Sequence, residues 1–351
     1  RYISEATFKR LRCTEIVEGD CLVSRLPDPV GRSCILPDTG ERMITAVDCT
    51  ILRFNPNQLL PTFFNLYSQS DDYLTTVAKE CTGTTRNRIS RSNLGLTPIP
   101  VPPMAEQQRI VGLLDEAFAG LATAQANAEK NLQNARALFE SHLQSVFTQK
   151  GDGWVEKRLG DVFKIGSSKR VLEREWARSG VPFYGGREVV QLAQAGLAQA
   201  TAYISEEKYH DIARVYGIPV EGDLLMTARG TIGIGYIVRR NDRFYYKDGN
   251  IICLHPKEPT VPQFVLYAFR SRTVKNQLAT LTGATVTHLP IEKANSLVVA
   301  FPSLRAQKCV VEELRELESE TRRLAAIYER KLAALEEMKK SLLHQAFAGE
   351  L

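Results

Sequence analysis

The stretch Val101-Pro102-Pro103-Met104-Ala105-Glu106-Gln107-Gln108-Arg109-Ile110-Val111 opens a long periodic segment, Met104 to Thr148, that decides the fold. A second segment, Leu304 to Ala348, opens in the same way with Phe301-Pro302-Ser303-Leu304-Arg305-Ala306-Gln307-Lys308-Cys309-Val310-Val311. Identical residues recur at one constant offset of 200, at Pro102/Pro302, Gln107/Gln307, Val111/Val311, Leu114/Leu314, Ser141/Ser341, Leu143/Leu343 and Phe147/Phe347. An offset kept over this length indicates an internal repeat.

Both segments are predicted to be single long helices. Apolar residues step by three or four along each segment, no proline interrupts them, and Gly151 and Gly349 follow their ends. A helix of about 45 residues spans about 67 Å at about 1.5 Å per residue. The narrow apolar stripe is typical of a coiled-coil seam, so we expect the two helices to pack on each other. Chain order predicts that they run antiparallel.

Composition describes a globular protein, with 44% apolar and 24% charged residues. No apolar run reaches the ~18 residues of a membrane span, and no signal peptide is visible. The seven cysteines form no C-x-x-C pair, which argues against a zinc site or a redox pair. We therefore expect reduced, mostly buried thiols in a cytoplasmic protein.

The net charge of +5 is unevenly distributed. Residues 154–303 carry +6, residues 1–103 carry +1, residues 104–153 carry −2 and residues 304–351 are neutral. This pattern favours a globular part that contacts a polyanion and helices that contact protein.

The two globular parts also repeat. Tyr2-Ile3-Ser4 matches Tyr203-Ile204-Ser205, Gly19-Asp20 matches Gly222-Asp223, and Thr82-Gly83 matches Thr282-Gly283. The first part has no counterpart of Trp154 to about Ala202, so we expect roughly fifty residues to be absent ahead of it and its fold to be incomplete.

Each globular part is predicted to mix short strands with one helix. The strands are Leu224–Thr227, Gly233–Val238 and Gly249–Leu254, with Cys21–Ser24 and Thr50–Phe54 as first-part versions. The helices are Pro262 to Leu281 and Pro61 to Val77. Residues 97–103 are rich in proline and are expected to be extended.

No catalytic signature is present in the sequence. A phosphate-binding G-x-x-x-x-G-K-[ST] loop, a G-x-S-x-G elbow, a paired-histidine metal motif and the Asn/Asp-Pro-Pro-aromatic motif of amino-methyltransferases are all missing. The sequence therefore favours a binding protein, with an enzyme of unfamiliar motif left open.

Three sets of glycine-bearing loops carry the candidate binding residues. Arginine can bind phosphate or grip guanine O6 and N7, and hydroxyls over a tight turn are typical phosphate and base contacts. The plainer interpretation of each loop is a solvated polar turn. The candidate DNA-contacting residues are Arg25, Thr84, Arg86, Asn87, Arg88, Arg91, Lys169, Arg170, Tyr184, Arg187, Arg229, Thr231, Thr285, Thr287 and His288.

Two repeated globular parts separated by repeated long helices resemble the specificity subunit of type I restriction-modification enzymes. The resemblance covers the whole chain and is carried by Trp154, Leu159-Gly160-Asp161, Tyr203-Ile204-Ser205, Gly222-Asp223, Thr282-Gly283, Pro102, Glu106-Gln107-Gln108-Arg109-Ile110-Val111 and the closing Gln345-Ala346-Phe347-Ala348-Gly349-Glu350-Leu351. Each motif is loose alone, whereas their order and duplication are specific.

The resemblance implies an α+β fold, with two mixed target recognition domains separated by two long antiparallel helices that form a coiled coil. It assigns residues 1–103 to a first, N-terminally incomplete recognition domain, 104–153 to the first conserved helix and linker, 154–303 to the second domain and 304–351 to the second helix. Each domain would read one half of a split double-stranded DNA site.

The resemblance also implies partners. The helices would fix the spacing of the domains and dock two methyltransferase subunits, with restriction subunits joining in the full complex. Adenine N6 methylation and DNA cleavage would belong to these partners, and so would S-adenosylmethionine, ATP and Mg²⁺. The chain itself would be non-catalytic and not membrane-bound. The alternatives are a coiled-coil scaffold with two protein-binding heads and an enzyme active without partners.

Overall fold

The computed structural model describes residues 2–83, 87–282 and 288–351. These residues form two compact units. Unit 1 comprises Arg1–Leu132 and Ala326–Leu351, and unit 2 comprises Gln133–Ala325. The division falls inside both long helices, so each unit contains a globular part and one portion of each helix.

Helices and short strands alternate along the chain. The helices are α1 Glu5–Leu11, α2 Pro61–Tyr67, α3 Asp71–Lys79, α4 Arg91–Leu96, α5 Met104–Gln149, α6 Leu159–Val162, α7 Gly186–Ala195, α8 Glu206–Tyr216, α9 Pro262–Arg270, α10 Arg272–Thr282, α11 Ile291–Ser296 and α12 Leu304–Ala348. The strands are β1 Glu15–Ile16, β2 Cys21–Ser24, β3 Ser33–Ile35, β4 Met43–Ile44, β5 Cys49–Leu52, β6 Val155–Arg158, β7 Phe163–Gly166, β8 Val181–Tyr184, β9 Tyr203–Ile204, β10 Leu224–Thr227, β11 Gly235–Ile237, β12 Tyr245–Tyr246, β13 Ile251–Pro256 and β14 Val298–Phe301. The predicted α+β fold class and both long helices are confirmed.

Each unit has a small antiparallel main sheet. In unit 1 the strand order is β3-β2-β5, and in unit 2 it is β11-β10-β13-β7. The central strands β2 and β10 are the strands predicted at Cys21–Ser24 and Leu224–Thr227. Unit 2 also has a three-stranded sheet β12-β8-β9 and a pair β14-β6, whereas unit 1 has the pair β1-β4.

The prediction of a single helix in each globular part is wrong, because two helices are present there, α2 and α3 in unit 1 and α9 and α10 in unit 2. A serine side chain starts the second helix in both cases. The Ser70 hydroxyl accepts a hydrogen bond from the Tyr73 amide at 3.3 Å, and the Ser271 hydroxyl accepts one from the Val274 amide at 3.4 Å. A serine that caps a helix leaves its own backbone outside the helical region, as the extended backbone of Ser271 shows.

The long helices pack in opposite directions within unit 1. Arg109 donates to the Leu351 carbonyl at 2.7 Å, and further along α5 the Phe118 ring lies 5.2 Å from the Lys339 ammonium. Residues closer to the C-terminus of α5 thus contact residues closer to the N-terminus of α12, so the two helices are antiparallel. Their buried side chains Ile110, Leu114, Leu343 and Ala346 join one core with Phe63, Tyr73 and Val77 of the globular part.

The same arrangement occurs within unit 2. His142 of α5 lies 2.7 Å from Glu313 of α12, and the Arg270 guanidinium contacts both Glu140 at 3.1 Å and Glu318 at 2.7 Å. The core here contains Phe139, Leu143, Phe147, Val311 and Leu314 together with the globular part. The antiparallel prediction holds in each unit.

A buried glutamine attaches each long helix to its globular part. The Gln107 side chain accepts from the Leu60 amide at 2.9 Å and donates to the Gln58 and Pro102 carbonyls at 2.8 Å. Gln307 accepts from the Val261 amide at 3.0 Å. Leu60 and Val261 precede helices α2 and α9 and have no side-chain cap, so each glutamine satisfies a helix-start amide that would otherwise lack a partner.

A carboxylate at the start of each central strand is a further matched feature. The Asp20 carboxylate accepts from Val17 N at 3.0 Å and Arg53 Nε at 2.7 Å. Asp223 accepts from Val220 N at 2.9 Å and lies 2.6 Å from His255 Nδ1. The guanidinium of Arg53 holds the pKa of Asp20 below its ordinary value, with burial opposing this shift.

The expectation that the cysteines are mostly buried is wrong. All seven are free thiols, but only Cys21 is buried, while Cys34 and Cys309 are exposed and the others are half-buried. Burial raises the pKa of the Cys21 thiol to about 11, so this group is a poor nucleophile at neutral pH.

Candidate nucleic-acid interface

The candidate loops of unit 2 leave the same end of its main sheet. Strand β10 ends at Thr227 opposite the first residue of β13, Ile251. Strand β11 begins beside Met226, and β7 ends beside Cys253. The loops 167–170, 228–234 and 247–250 therefore start from one edge because antiparallel strands alternate their chain direction.

Backbone hydrogen bonds hold these loops together. The Ala228 amide donates to the Asn250 carbonyl at 2.8 Å, and the Leu289 amide donates to the Ala228 carbonyl at 2.7 Å. The Gly249 amide donates to the Ser167 hydroxyl at 3.3 Å. We call the loops 167–170, 228–234, 247–250 and His288 the unit 2 loop cluster.

Arg229 and His288 meet inside this cluster. They form an isolated antiparallel backbone bridge, and His288 Nδ1 donates to the Ala228 carbonyl at 3.1 Å. That hydrogen bond fixes the ring in the tautomer that leaves Nε2 as an acceptor when the imidazole is neutral. Arg229 and Thr231 are exposed, whereas His288 is half-buried.

The other predicted residues of unit 2 fall into two classes. Lys169, Arg170 and Arg187 are exposed, and Arg170 pairs with Asp248 at 2.7 Å. Tyr184 is only 9% exposed, and its ring lies 5.0 Å from Phe244. Burial raises the pKa of Tyr184, and its side chain belongs to the core.

Unit 1 has the same loop scaffold. The Arg25 amide donates to the Asp48 carbonyl at 2.8 Å, and the Ile89 amide donates to the Arg25 carbonyl at 3.3 Å. These two bonds occupy the positions of the bonds made by Ala228 in unit 2. We call the loops 25–32, 46–48 and 87–91 the unit 1 loop cluster.

The Arg25 side chain is buried, whereas the sequence predicted it as a contact on the surface. The residue is 6% exposed, and its guanidinium donates to the Val47 carbonyl. The other described candidates, Asn87, Arg88 and Arg91, are exposed, with Arg88 in an ion pair with Asp48 at 2.8 Å. The predicted Thr84, Arg86, Thr285 and Thr287 lie outside the described residues.

Sequence reasoning missed the third loop of each cluster. Asn250 and Asp48 occupy matched positions there, each offering its carbonyl to the amide that follows the central strand. Lys247 also lies in this loop of unit 2, with its ammonium 4.2 Å from the Trp176 ring. Asp48 precedes the strand predicted at Thr50–Phe54, whereas Asn250 had been included in the strand predicted at Gly249–Leu254, so neither was considered as part of a loop.

The described surface of each cluster carries hydrogen-bond donors, including Arg229 and Thr231 in unit 2 and Asn87 and Arg91 in unit 1. Among the described residues, no group of three or more histidine, cysteine or acidic side chains is placed to hold a metal ion. In the part of the chain that the structure describes, no helix is long and apolar enough to cross a membrane. The arrangement is suited to binding phosphates and base edges.

Comparisons with known proteins agree with this arrangement. The family described as "Type I restriction modification DNA specificity domain" matches residues 13–132 and 151–333. A putative type I restriction enzyme specificity subunit from Haemophilus influenzae Rd is 28% identical over 244 residues, or 68% of this chain. The match spans 60% of that relative's length.

Two solved structures share the fold. A chain from a type I R-M system studied for complex assembly and conformational transition has a TM-score of 0.76 and 18% identity, over 96% of this chain and 84% of that one. The HsdS subunit from Thermoanaerobacter tengcongensis has a TM-score of 0.66 and 19% identity, over 96% and 82%. With the family match over most of its length, the chain belongs to the type I restriction-modification DNA specificity family.

Proposed function

We propose that this chain is the DNA sequence-specificity subunit of a type I restriction-modification enzyme, and that each unit reads one half of a bipartite site through its loop cluster. The observation that carries the proposal is the matched scaffold of the two clusters, in which the residue after the central strand makes the same two backbone hydrogen bonds. One scaffold with different exposed side chains is what two readers of different half-sites require.

The exposed groups suit this role. Arg229 and Thr231 in unit 2, and Asn87 and Arg91 in unit 1, are exposed and offer donors that can bind phosphates and base edges. His288 is half-buried beside Arg229. The buried Arg25 and Tyr184 are left out of the proposed DNA surface. The Arg25 guanidinium instead donates to the Val47 carbonyl of the neighbouring loop. The +6 charge of residues 154–303 adds sequence-independent attraction to DNA.

The long helices would set the separation of two recognition domains, residues 1–103 and 154–303. A helix of 46 residues spans about 69 Å, or roughly two turns of DNA at about 34 Å per turn. Apolar side chains remain exposed along both helices, including Leu113, Leu138 and Met338. We propose that such residues dock two methyltransferase subunits, with restriction subunits completing the complex.

Catalysis would then belong to the partners. S-adenosylmethionine for adenine N6 methylation, and ATP and Mg²⁺ for restriction, would bind to those subunits. The scaffold alternative predicts binding that does not depend on salt, and the enzyme alternative predicts activity of the isolated chain.

The test is DNA binding by this chain in complex with methyltransferase subunits. Duplexes that bind the complex are selected from a pool of random sequences. The affinity for the selected duplex is then measured as a function of salt concentration, for the wild type and for Arg229→Ala. We expect affinity to fall linearly with salt on logarithmic axes, and the variant to lose about 5- to 150-fold, or about 1–3 kcal/mol, with relaxed preference in one half-site only.

Arg240→Ala is the matched control. Arg240 is an exposed arginine of the same unit, in the turn beyond the other end of β11. Its removal should leave base preference unchanged. Binding that is independent of salt and of sequence would refute the function, whereas equal behaviour of the two variants would refute the assignment of Arg229 alone.

A further inference from the structure

A pocket lies on one face of the main sheet of unit 2. Alternate residues of a strand point to opposite faces of its sheet. In β13, Ile252 and Leu254 belong to the core that includes the long helices, whereas Cys253 and His255 line the pocket on the other face. Its volume of about 490 Å³ lies within the range of about 300–1,000 Å³ typical of small-molecule sites. We call it the flank pocket.

Basic side chains line the flank pocket. Lys164 of β7 lies directly opposite His255 of β13, and like charges opposite each other in a sheet are destabilising. In the part of the chain that the structure describes, Lys164 has no acidic partner. Lys169, beyond the other end of β7, adds a third basic group to the lining. An anion bound beside Lys164 and His255 would relieve their repulsion whenever the imidazole is protonated.

The acidic side chain among the described lining residues, Asp223, does not neutralise these lysines. It is buried and accepts from Val220 N at 2.9 Å, Cys253 Sγ at 3.6 Å and His255 Nδ1 at 2.6 Å. The bond through Nδ1 leaves Nε2 of His255 available to a ligand. The pocket therefore has an excess of positive charge.

The proximity of Cys253, Asp223 and His255 does not make a nucleophilic site. Burial, followed by the charge of the Asp223 carboxylate, raises the pKa of the Cys253 thiol. A thiol in this state stays protonated at neutral pH, and the thiolate is the reactive form. The groups of the flank pocket are thus suited to binding rather than to covalent chemistry.

An aromatic ring borders the same pocket. Tyr216 ends α8 and is 59% exposed, and the centre of its ring lies 5.1 Å from the Lys169 ammonium. Aromatic side chains next to cations bind nucleotides, because every base has a face that can stack. The Ser168 hydroxyl of the lining is enclosed without a hydrogen bond of normal geometry, which favours a polar ligand.

We propose that the flank pocket binds a nucleotide, with a phosphate between Lys164 and His255 and the base against the Tyr216 ring beside Lys169. The nucleotide has two possible sources. A free nucleotide would be a small-molecule ligand of the chain, whereas a nucleotide of a bound DNA strand would extend the contacts beyond the unit 2 loop cluster. The free-ligand case does not depend on the proposed DNA function.

The first experiment is calorimetric titration of the full chain, without DNA, with 5′-AMP, adenosine and inorganic phosphate. AMP should bind at least tenfold more tightly than either fragment, because it alone has both a phosphate and a ring. Lys164→Ala should weaken AMP binding about tenfold or more, and Tyr216→Ala about 5- to 150-fold. Tyr216→Phe keeps the ring and should bind AMP like the wild type.

Lys275→Ala is the matched control for Lys164→Ala. Lys275 is an exposed lysine of unit 2 on α10, and its replacement should leave AMP binding unchanged. Hydrogen exchange of the unit 2 core amides should be the same in every variant, which separates loss of binding from loss of folding.

The second experiment measures affinity of the same variants for the selected duplex, in complex with methyltransferase subunits. If AMP does not bind but Tyr216→Ala weakens duplex binding at least fivefold and Tyr216→Phe does not, the nucleotide belongs to the DNA strand. Equal binding of AMP and phosphate, unaffected by Tyr216→Ala, would overturn the proposal in favour of a simple anion site. No AMP binding together with unchanged duplex affinity would also overturn it. Because the AMP titration contains no DNA, its failure leaves the proposed specificity function standing.

Discussion

Replacement of Gln107 by alanine tests the attachment of the first long helix to its globular part. The side chain is completely buried and makes three hydrogen bonds, to Leu60 N, Gln58 O and Pro102 O, at 2.8–2.9 Å. At about 1 kcal/mol net for each bond, the loss is roughly 3 kcal/mol. That energy corresponds to about a 150-fold rise in the opening equilibrium of unit 1.

The assay is native-state hydrogen exchange rather than bulk unfolding, because a chain of two units need not unfold in one step. Core amides of unit 1 should exchange about 150-fold faster in Gln107→Ala, and those of unit 2 should not change. Gln307→Ala should produce the reciprocal pattern, since Gln307 also makes three bonds, to Thr260, Val261 and Pro302.

The adjacent Gln108→Ala is the control. Gln108 has the same side chain on the same helix turn but is exposed, so its replacement should change stability by less than about 0.5 kcal/mol. If Gln107→Ala accelerates exchange no more than Gln108→Ala, the buried amide does not attach the helix and the reasoning fails.

Three further predictions concern the core, acid stability and DNA binding. Leu143→Ala removes a completely buried side chain and should destabilise unit 2 by about 2–5 kcal/mol in the same exchange assay. The Asp20 carboxyl has a lowered pKa because Arg53 hydrogen-bonds to it. The ionised carboxylate therefore stabilises folded unit 1 at pH values above the ordinary aspartate pKa of about 3.9, and this stabilisation is lost as the pH falls towards the lowered pKa. Unit 1 should lose stability over that pH range, and Asp20→Asn should make its stability depend less on pH. An unchanged pH dependence in the variant would contradict the Asp20–Arg53 ion pair. Lys169→Ala should reduce the slope of log affinity against log salt by about 0.9 if Lys169 binds a phosphate, and leave it unchanged if it does not.

Local periodicity and the internal repeat were sufficient to predict the long helices and the central strand of each main sheet. The constant offset of 200 and the positions of proline and glycine located both long helices, and the strand predictions at Cys21–Ser24 and Leu224–Thr227 match β2 and β10. The breaks at Ser70 and Ser271 were missed because serine is tolerated within helices, and only the hydrogen bond to the following turn identifies a cap.

The candidate sites were less predictable, since residue type does not report burial. Arg25 and Tyr184 follow or end strands as surface contacts would, yet both side chains are enclosed. Asp48 and Asn250 contribute through their backbone carbonyls, which any residue could supply. Loop assembly depends on pairings between distant segments, and these pairings leave no local pattern in the sequence.

Methylation mapping in cells that produce this chain with its methyltransferase partners tests the central claim most directly. We expect modified adenines within a two-part motif whose halves are separated by a gap of fixed length, with Arg229→Ala altering one half only. A contiguous motif, or modification without sequence preference, would contradict it.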